Sequence, residues 1–169
     1  MTIINTLSKV INVIYLIGLC LFIMDTFSVL EIKSQGLKSL SYYNLLFCTP
    51  VLFIWNYVEY KNLSLRILTL VSPILSLIVV LYFGPTKIIF SKSVWLTQSV
   101  IYQNCKNSSS KIEFQIQDLG ALGYNHRTVE VRYFTCFFIL VSKSPNFDET
   151  DKKWKKVNIW VNEAKLRDI

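Results

Sequence analysis

Three long apolar runs crowd the first 84 residues of this chain and dominate what it can fold into. A helix needs about 20 apolar residues to cross a hydrocarbon core of ~30 Å. The third run, Ile67 to Gly84, carries no charge and stops at Gly84-Pro85, a pair that ends helices. The second, about Tyr42 to Tyr60, has Tyr42 and Tyr43 at one end and Trp55, Tyr57 and Tyr60 at the other, where amphipathic rings favour the headgroup level. Pro50 falls in its middle and predicts a kink, because it removes a backbone donor and crowds the preceding turn.

The first run, about Val10 to Leu30, reaches spanning length only by including Asp25, Thr26 and Ser28. An ionisable group inside a span is costly and by default marks a functional position. Asp25 is therefore a candidate intramembrane polar site, set against the plainer reading of an acid close enough to the helix end to reach headgroup water. Two further spans follow and no small-residue cleavage site closes the run, so it reads as a retained span rather than a signal peptide.

Short connections, Glu31 to Ser41 and Lys61 to Arg66, make the three helices antiparallel neighbours in one bundle. Asn12, Asn44, Thr49, Asn56, Thr69, Ser72 and Ser76 fall within it, and such side chains tend to pair between helices. Lys9, Lys61 and Arg66 lie on one side, with Lys33, Lys38, Lys87 and Lys92 on the other. The first helix usually dominates orientation, which puts the N-terminus in the cytoplasm of a bacterial-type inner membrane and the tail outside.

Beyond residue 84 the periodicity changes. Lys111 to Gln117 (KIEFQIQ) alternates with period two, as a half-buried strand does, with Ile112, Phe114 and Ile116 on the apolar face. Val94 to Gln103 is rich in β-branched and aromatic residues, and the polar NCKNSSS between them makes a hairpin turn. Thr128 to Val141 reads as a third strand, alternating at first and then continuously apolar. Trp154 to Ile169 places Val157, Trp160, Val161 and Ala164 at helical spacing and reads as a short amphipathic helix. The expected fold is thus a membrane protein with an N-terminal three-helix transmembrane bundle (residues 1–84, spans about 10–30, 42–60 and 67–84). A small C-terminal α+β domain (85–169) with an antiparallel β-meander and a terminal helix follows it.

Chemistry is sparse by comparison. His126 is the single histidine, which excludes a multi-histidine metal site, and its YNHR setting reads as a solvated turn. Asp118 and Ser108 have no catalytic frame to join, so no catalytic residue, metal or cofactor is expected. Gly120 and Gly123 have the spacing of a phosphate loop but read as turn glycines between strands. Cys105 and Cys136 are a candidate disulfide if the tail faces an oxidising compartment.

Charge points to binding. The chain carries +7, and 13 of its 18 basic residues lie in the tail with 8 of its 11 acidic ones. Lys152, Lys153, Lys155 and Lys156 cluster around Trp154, a candidate contact for a protein partner or for acidic lipid. No nucleic-acid motif accompanies them. The expected function is that of a non-catalytic membrane accessory protein, its partners the lipid bilayer and a membrane or envelope protein. An immunity-type protein against a membrane-acting toxin and a ligand-responsive membrane effector are the alternatives.

Overall fold

The computed structural model describes residues 2–142 and 153–165. The chain divides into two compact units: Met1–Ile23 with Lys38–Lys92, and Met24–Leu37 with Ser93–Ile169.

The first unit is helical. Three stretches, Ser8–Phe27, Gln35–Glu59 and Leu63–Phe83, are long and apolar enough to cross a membrane. They belong to α1 (Thr2–Phe27), α2 and α3 (Gln35–Tyr43 and Thr49–Glu59) and α4 (Leu63–Phe83), and α5 (Pro85–Ser91) follows. Side chains such as Ile14, Ile17, Ile54, Leu68, Ile78 and Leu81 face outward and exposed. Inward, by contrast, lie polar groups. Tyr15 donates to Ser76 Oγ at 2.6 Å and lies 2.8 Å from Thr49 Oγ1, joining α1, α3 and α4. Asn12 and Asn56 exchange amide hydrogen bonds of 3.2 and 2.9 Å. An apolar exterior around hydrogen-bonded polar contacts is the inverse of a water-soluble bundle and suits a bilayer, where every polar group needs an internal partner. Of the side chains expected to pair between helices, Asn12, Thr49, Asn56 and Ser76 do so, while the Thr69 hydroxyl bonds the backbone of its own helix.

Two prolines, Pro50 and Pro73, lie within these stretches. Ahead of Pro50 the backbone widens into a π-helical turn, Asn44–Cys48, which joins α2 to α3 and leaves Pro50 in the first turn of α3. Pro73 sits inside α4, and its missing N–H leaves the carbonyl four residues back, that of Thr69, without its helical donor. Asn56 Nδ2 donates to that carbonyl at 3.1 Å. Asn56, fully buried, thus ties α3 to α1 and repairs α4 at once.

The second unit is an antiparallel six-stranded sheet in the order β1-β5-β4-β3-β2-β6. Its strands are β1 (Leu30–Ile32), β2 (Trp95–Asn104), β3 (Ser110–Asp118), β4 (Tyr124–Tyr133), β5 (Phe138–Ser142) and β6 (Trp154–Trp160). The β2–β3 hairpin is as expected. Four other features correct the sequence reading.

Thr128 to Val141 is not one strand but two, with a turn at 134–137 in which Thr135 Oγ1 accepts from the backbone N–H of Phe137 and Phe138 at 3.2 and 3.1 Å. A threonine turn without Gly or Pro is invisible in so apolar a run. The terminal helix is instead β6: the free side of β2 pairs with it from Asn104↔Trp154 to Ser99↔Trp160, and positive φ at Asn158 and Asn162 is incompatible with a helix. The connection after α1 adds the edge strand β1, Leu30 facing Leu140 of β5. Finally, residues 85–92 belong with the helices, where Ile88 of α5 packs in the core of Phe22, Tyr42 and Leu45.

Glycine serves one connection as expected. Gly120 (φ 65°) and Gly123 (φ 87°) make the tight β3–β4 turn, with Asp118 Oδ1 accepting from Gly120 N–H at 2.6 Å.

Candidate functional site

The alternating strand β3 has two buried faces. Ile112 and Ile116 are buried on one, while Glu113 and Gln115, whose polarity predicts a solvent face, are wholly inaccessible on the other. Register explains this. Glu113 pairs with Val129 and Lys111 with Val131, so the polar side of β3 shares its face with an apolar cluster of Val129, Val131, Ile139 and Val141.

Along that face runs a chain of hydrogen bonds. At one end Arg127 makes a two-pronged ion pair with Glu31 of β1, at 2.8 and 2.6 Å, and its guanidinium stacks 4.1 Å above the Trp95 ring. Arg127 also donates to Gln115 Oε1, which fixes the amide so that its Nε2 donates to Glu113 at 3.0 Å. Glu113 accepts two further bonds, from Thr97 (2.8 Å) and from the Tyr133 hydroxyl (2.9 Å). Thr97 in turn accepts from Lys33 Nζ at 3.0 Å, and Lys33 pairs with Glu163 at 2.6 Å. Glu163 also takes the backbone N–H of Thr97.

These bonds reveal the shape of the sheet. Strand β1 is separated from β2 by β5, β4 and β3, about 19 Å on a flat sheet. Lys33, one residue past β1, nonetheless reaches the Trp95 carbonyl and Thr97 of β2, and Gln35 accepts from Val94 N–H at 3.0 Å. The sheet therefore curls toward a half-barrel, and the polar chain lines its inner face and clasps it shut. Burial and the adjacent Glu113 carboxylate together push the Tyr133 phenol above its ordinary range. Each charged group of the chain is engaged by another member, so the chain orients and locks the strands it joins.

The sequence-derived candidates fall elsewhere and do not converge. Asp25 lies in the last turn of α1, 8% exposed, and its carboxylate accepts the Ile32 N–H at 2.7 Å, steering the chain from helix into β1. Cys105 follows β2 and Cys136 lies between β4 and β5; both are exposed and free rather than bridged. His126 is on β4 rather than in a turn, exposed and stacked on Phe114 with ring centroids 5.7 Å apart. Asp118 caps the Gly120 turn.

Of the basic cluster, Lys152 lies outside the described residues. Lys153 immediately precedes β6, and Trp154, Lys155 and Lys156 open it, so the cluster sits on an edge strand. Lys155 and Lys156 are exposed, followed by Ile159 at 52% and Trp160 at 58%. Among the described residues no group of three or more His, Cys, Asp and Glu side chains is arranged to hold a metal ion. Glu113 and its partners were missed because β3 alone shows alternation but not which face is covered; only the partner strand's register decides that. No family model, curated protein or solved structure matches this chain.

Proposed function

We propose that this chain is a non-catalytic accessory protein of a bacterial-type cytoplasmic membrane, held there by three spans, whose sheet domain binds a protein partner on the outer side. The observation that carries the reading is β6. It combines exposed Ile159 and Trp160 with exposed Lys155 and Lys156 on the border of a sheet whose inner face is clasped by its own side chains. An exposed tryptophan beside an exposed isoleucine is the usual composition of a contact surface's centre, and the two lysines supply charge at its rim. The polar chain supports the same reading, since a locked half-barrel keeps that border in place.

Photo-cross-linking in intact cells tests it. A benzoylphenylalanine replacing Trp160 is expected to give one discrete adduct with a membrane or envelope protein, and the same group replacing the exposed Thr128 of β4 none. Equal or absent adducts at the two positions sink the reading. A membrane-impermeant maleimide is expected to label Cys105 before lysis; labelling only after lysis reverses the orientation.

A further inference from the structure

The two borders of the sheet are unequal. β1 has three residues, and it is tied at its centre by Arg127–Glu31 and just past its end by Lys33–Glu163. β6 has seven and, among the described residues, pairs only with β2. In an antiparallel ladder successive residues turn their backbone groups alternately toward and away from the partner. Lys153 O accepts from Cys105 N–H at 2.8 Å, and Val161 N–H donates to Gln98 O at 3.0 Å, so both turn toward β2. Counting inward from each end, the N–H and C=O of Lys156 and Trp160 turn to the open side. Between these two positions the pairing shifts register opposite Val100–Tyr102 and Asn158 takes φ 46°, so the outward groups flank a bulge and each side can template only a short added strand.

The side chains say which strand. No carboxylate among the described residues pairs with Lys155 or Lys156: Glu163 is engaged by Lys33 and Thr97, and Glu113 is buried among Thr97, Gln115 and Tyr133. A second copy docking through the same edge would set lysines against lysines, which is how natural sheets discourage self-pairing.

Resting on the partner-binding reading above, we propose that β6 is a docking edge for an acidic, extended segment of the partner. The segment adds to the sheet as a seventh strand, short on each side of the bulge and hydrogen-bonded to the Lys156 and Trp160 backbones, with its carboxylates against Lys155 and Lys156. A lipid surface would use the lysines and Trp160 but leave the backbone groups of the edge unused.

The test uses the full chain in nanodiscs of zwitterionic lipid, with two fluorescent synthetic peptides as probes, one with paired glutamates between valines and one with paired lysines between valines, so that charge faces both Lys155 and Lys156. The acidic peptide is expected to bind and the basic one not to. Hydrogen exchange at the Lys156 and Trp160 amides should slow on binding. Lys156→Pro removes one outward donor and should weaken binding about tenfold, the loss of one or two exposed backbone bonds. Lys155→Glu with Lys156→Glu leaves the backbone intact and should invert the preference, which keeps the test decisive if the proline variant misfolds. Binding indifferent to peptide charge, or without amide protection, overturns the proposal. So does a β6 that binds phosphatidylglycerol vesicles through its lysines while the acidic peptide fails to bind. Should the peptides fail while the Trp160 cross-link persists, the strand mode falls and the partner reading stands; if both fail, both fall.

Discussion

Asn56 offers the sharpest check on how the helical unit is held. Replacing it with alanine removes two bonds to Asn12 and one to the Thr69 carbonyl. Interhelical side-chain bonds in membranes average ~0.6 kcal/mol, so the Asn12 pair accounts for about 1 kcal/mol. The carbonyl is worth more, because Pro73 has already removed its helical donor, and a buried acceptor left unpaired costs roughly 1–3 kcal/mol. Asn56→Ala should therefore cost about 2–4 kcal/mol, against about 1 for Asn12→Ala. Pro73→Ala restores an N–H to Thr69, so in that background Asn56→Ala should cost at least ~1 kcal/mol less. Titration of the full chain from mild detergent into sodium dodecyl sulfate, followed by circular dichroism, measures all four corners of this cycle. Additivity within ~0.5 kcal/mol would refute the assignment of Asn56 to the proline gap.

Two further outcomes concern the sheet. Glu31 and Arg127 are each about 15% exposed, so Glu31→Ala leaves a largely buried guanidinium unpaired and should destabilise the sheet unit by about 2–4 kcal/mol in urea, with the edge β1 losing amide protection first. Protection of β1 unchanged from the wild type would show that the pair does not clasp the sheet. Tyr133 carries a raised pKa, so the folded state holds a proton that the unfolded state releases above about pH 10. That contribution is complete below this pH and is lost as pH rises further. The unfolding midpoint should fall above pH 10 more steeply in the wild type than in Tyr133→Phe, with ultraviolet titration at the phenolate band locating the late-ionising tyrosine.

How much of this was legible in the sequence differs by unit. Apolar length and the absence of charge act through the solvent and need no knowledge of neighbours, which is why the three spans could be read from residue 10 onward. The polar residues Asn12, Thr49, Asn56 and Ser76 were equally readable as helix-to-helix contacts, because a hydrocarbon environment would offer them no other partner. That Asn56 answers Pro73 was not readable, since it depends on how α3 and α4 are rotated.

In the sheet domain the sequence determined that strands form, and at β2 and β3 approximately where. Strand count, the turn at Thr135 and the conversion of Trp154–Trp160 from expected helix to edge strand were decided by pairing with neighbours far along the chain. So was the inner face. Glu113 and Gln115 look solvated in a strand read alone, and become interior only when β4 lays Val129 and Val131 beside them and the curl of the sheet brings Lys33 and Arg127 within reach. The physical reason is the same in each case: local pattern reports what a segment prefers to bury, while the identity of the covering surface is fixed by non-local register. Lys155 and Lys156 were visible with Trp154 as a basic aromatic cluster from the start, but only the tertiary structure set them, together with Trp160, on an edge strand, where their backbone matters as much as their charge.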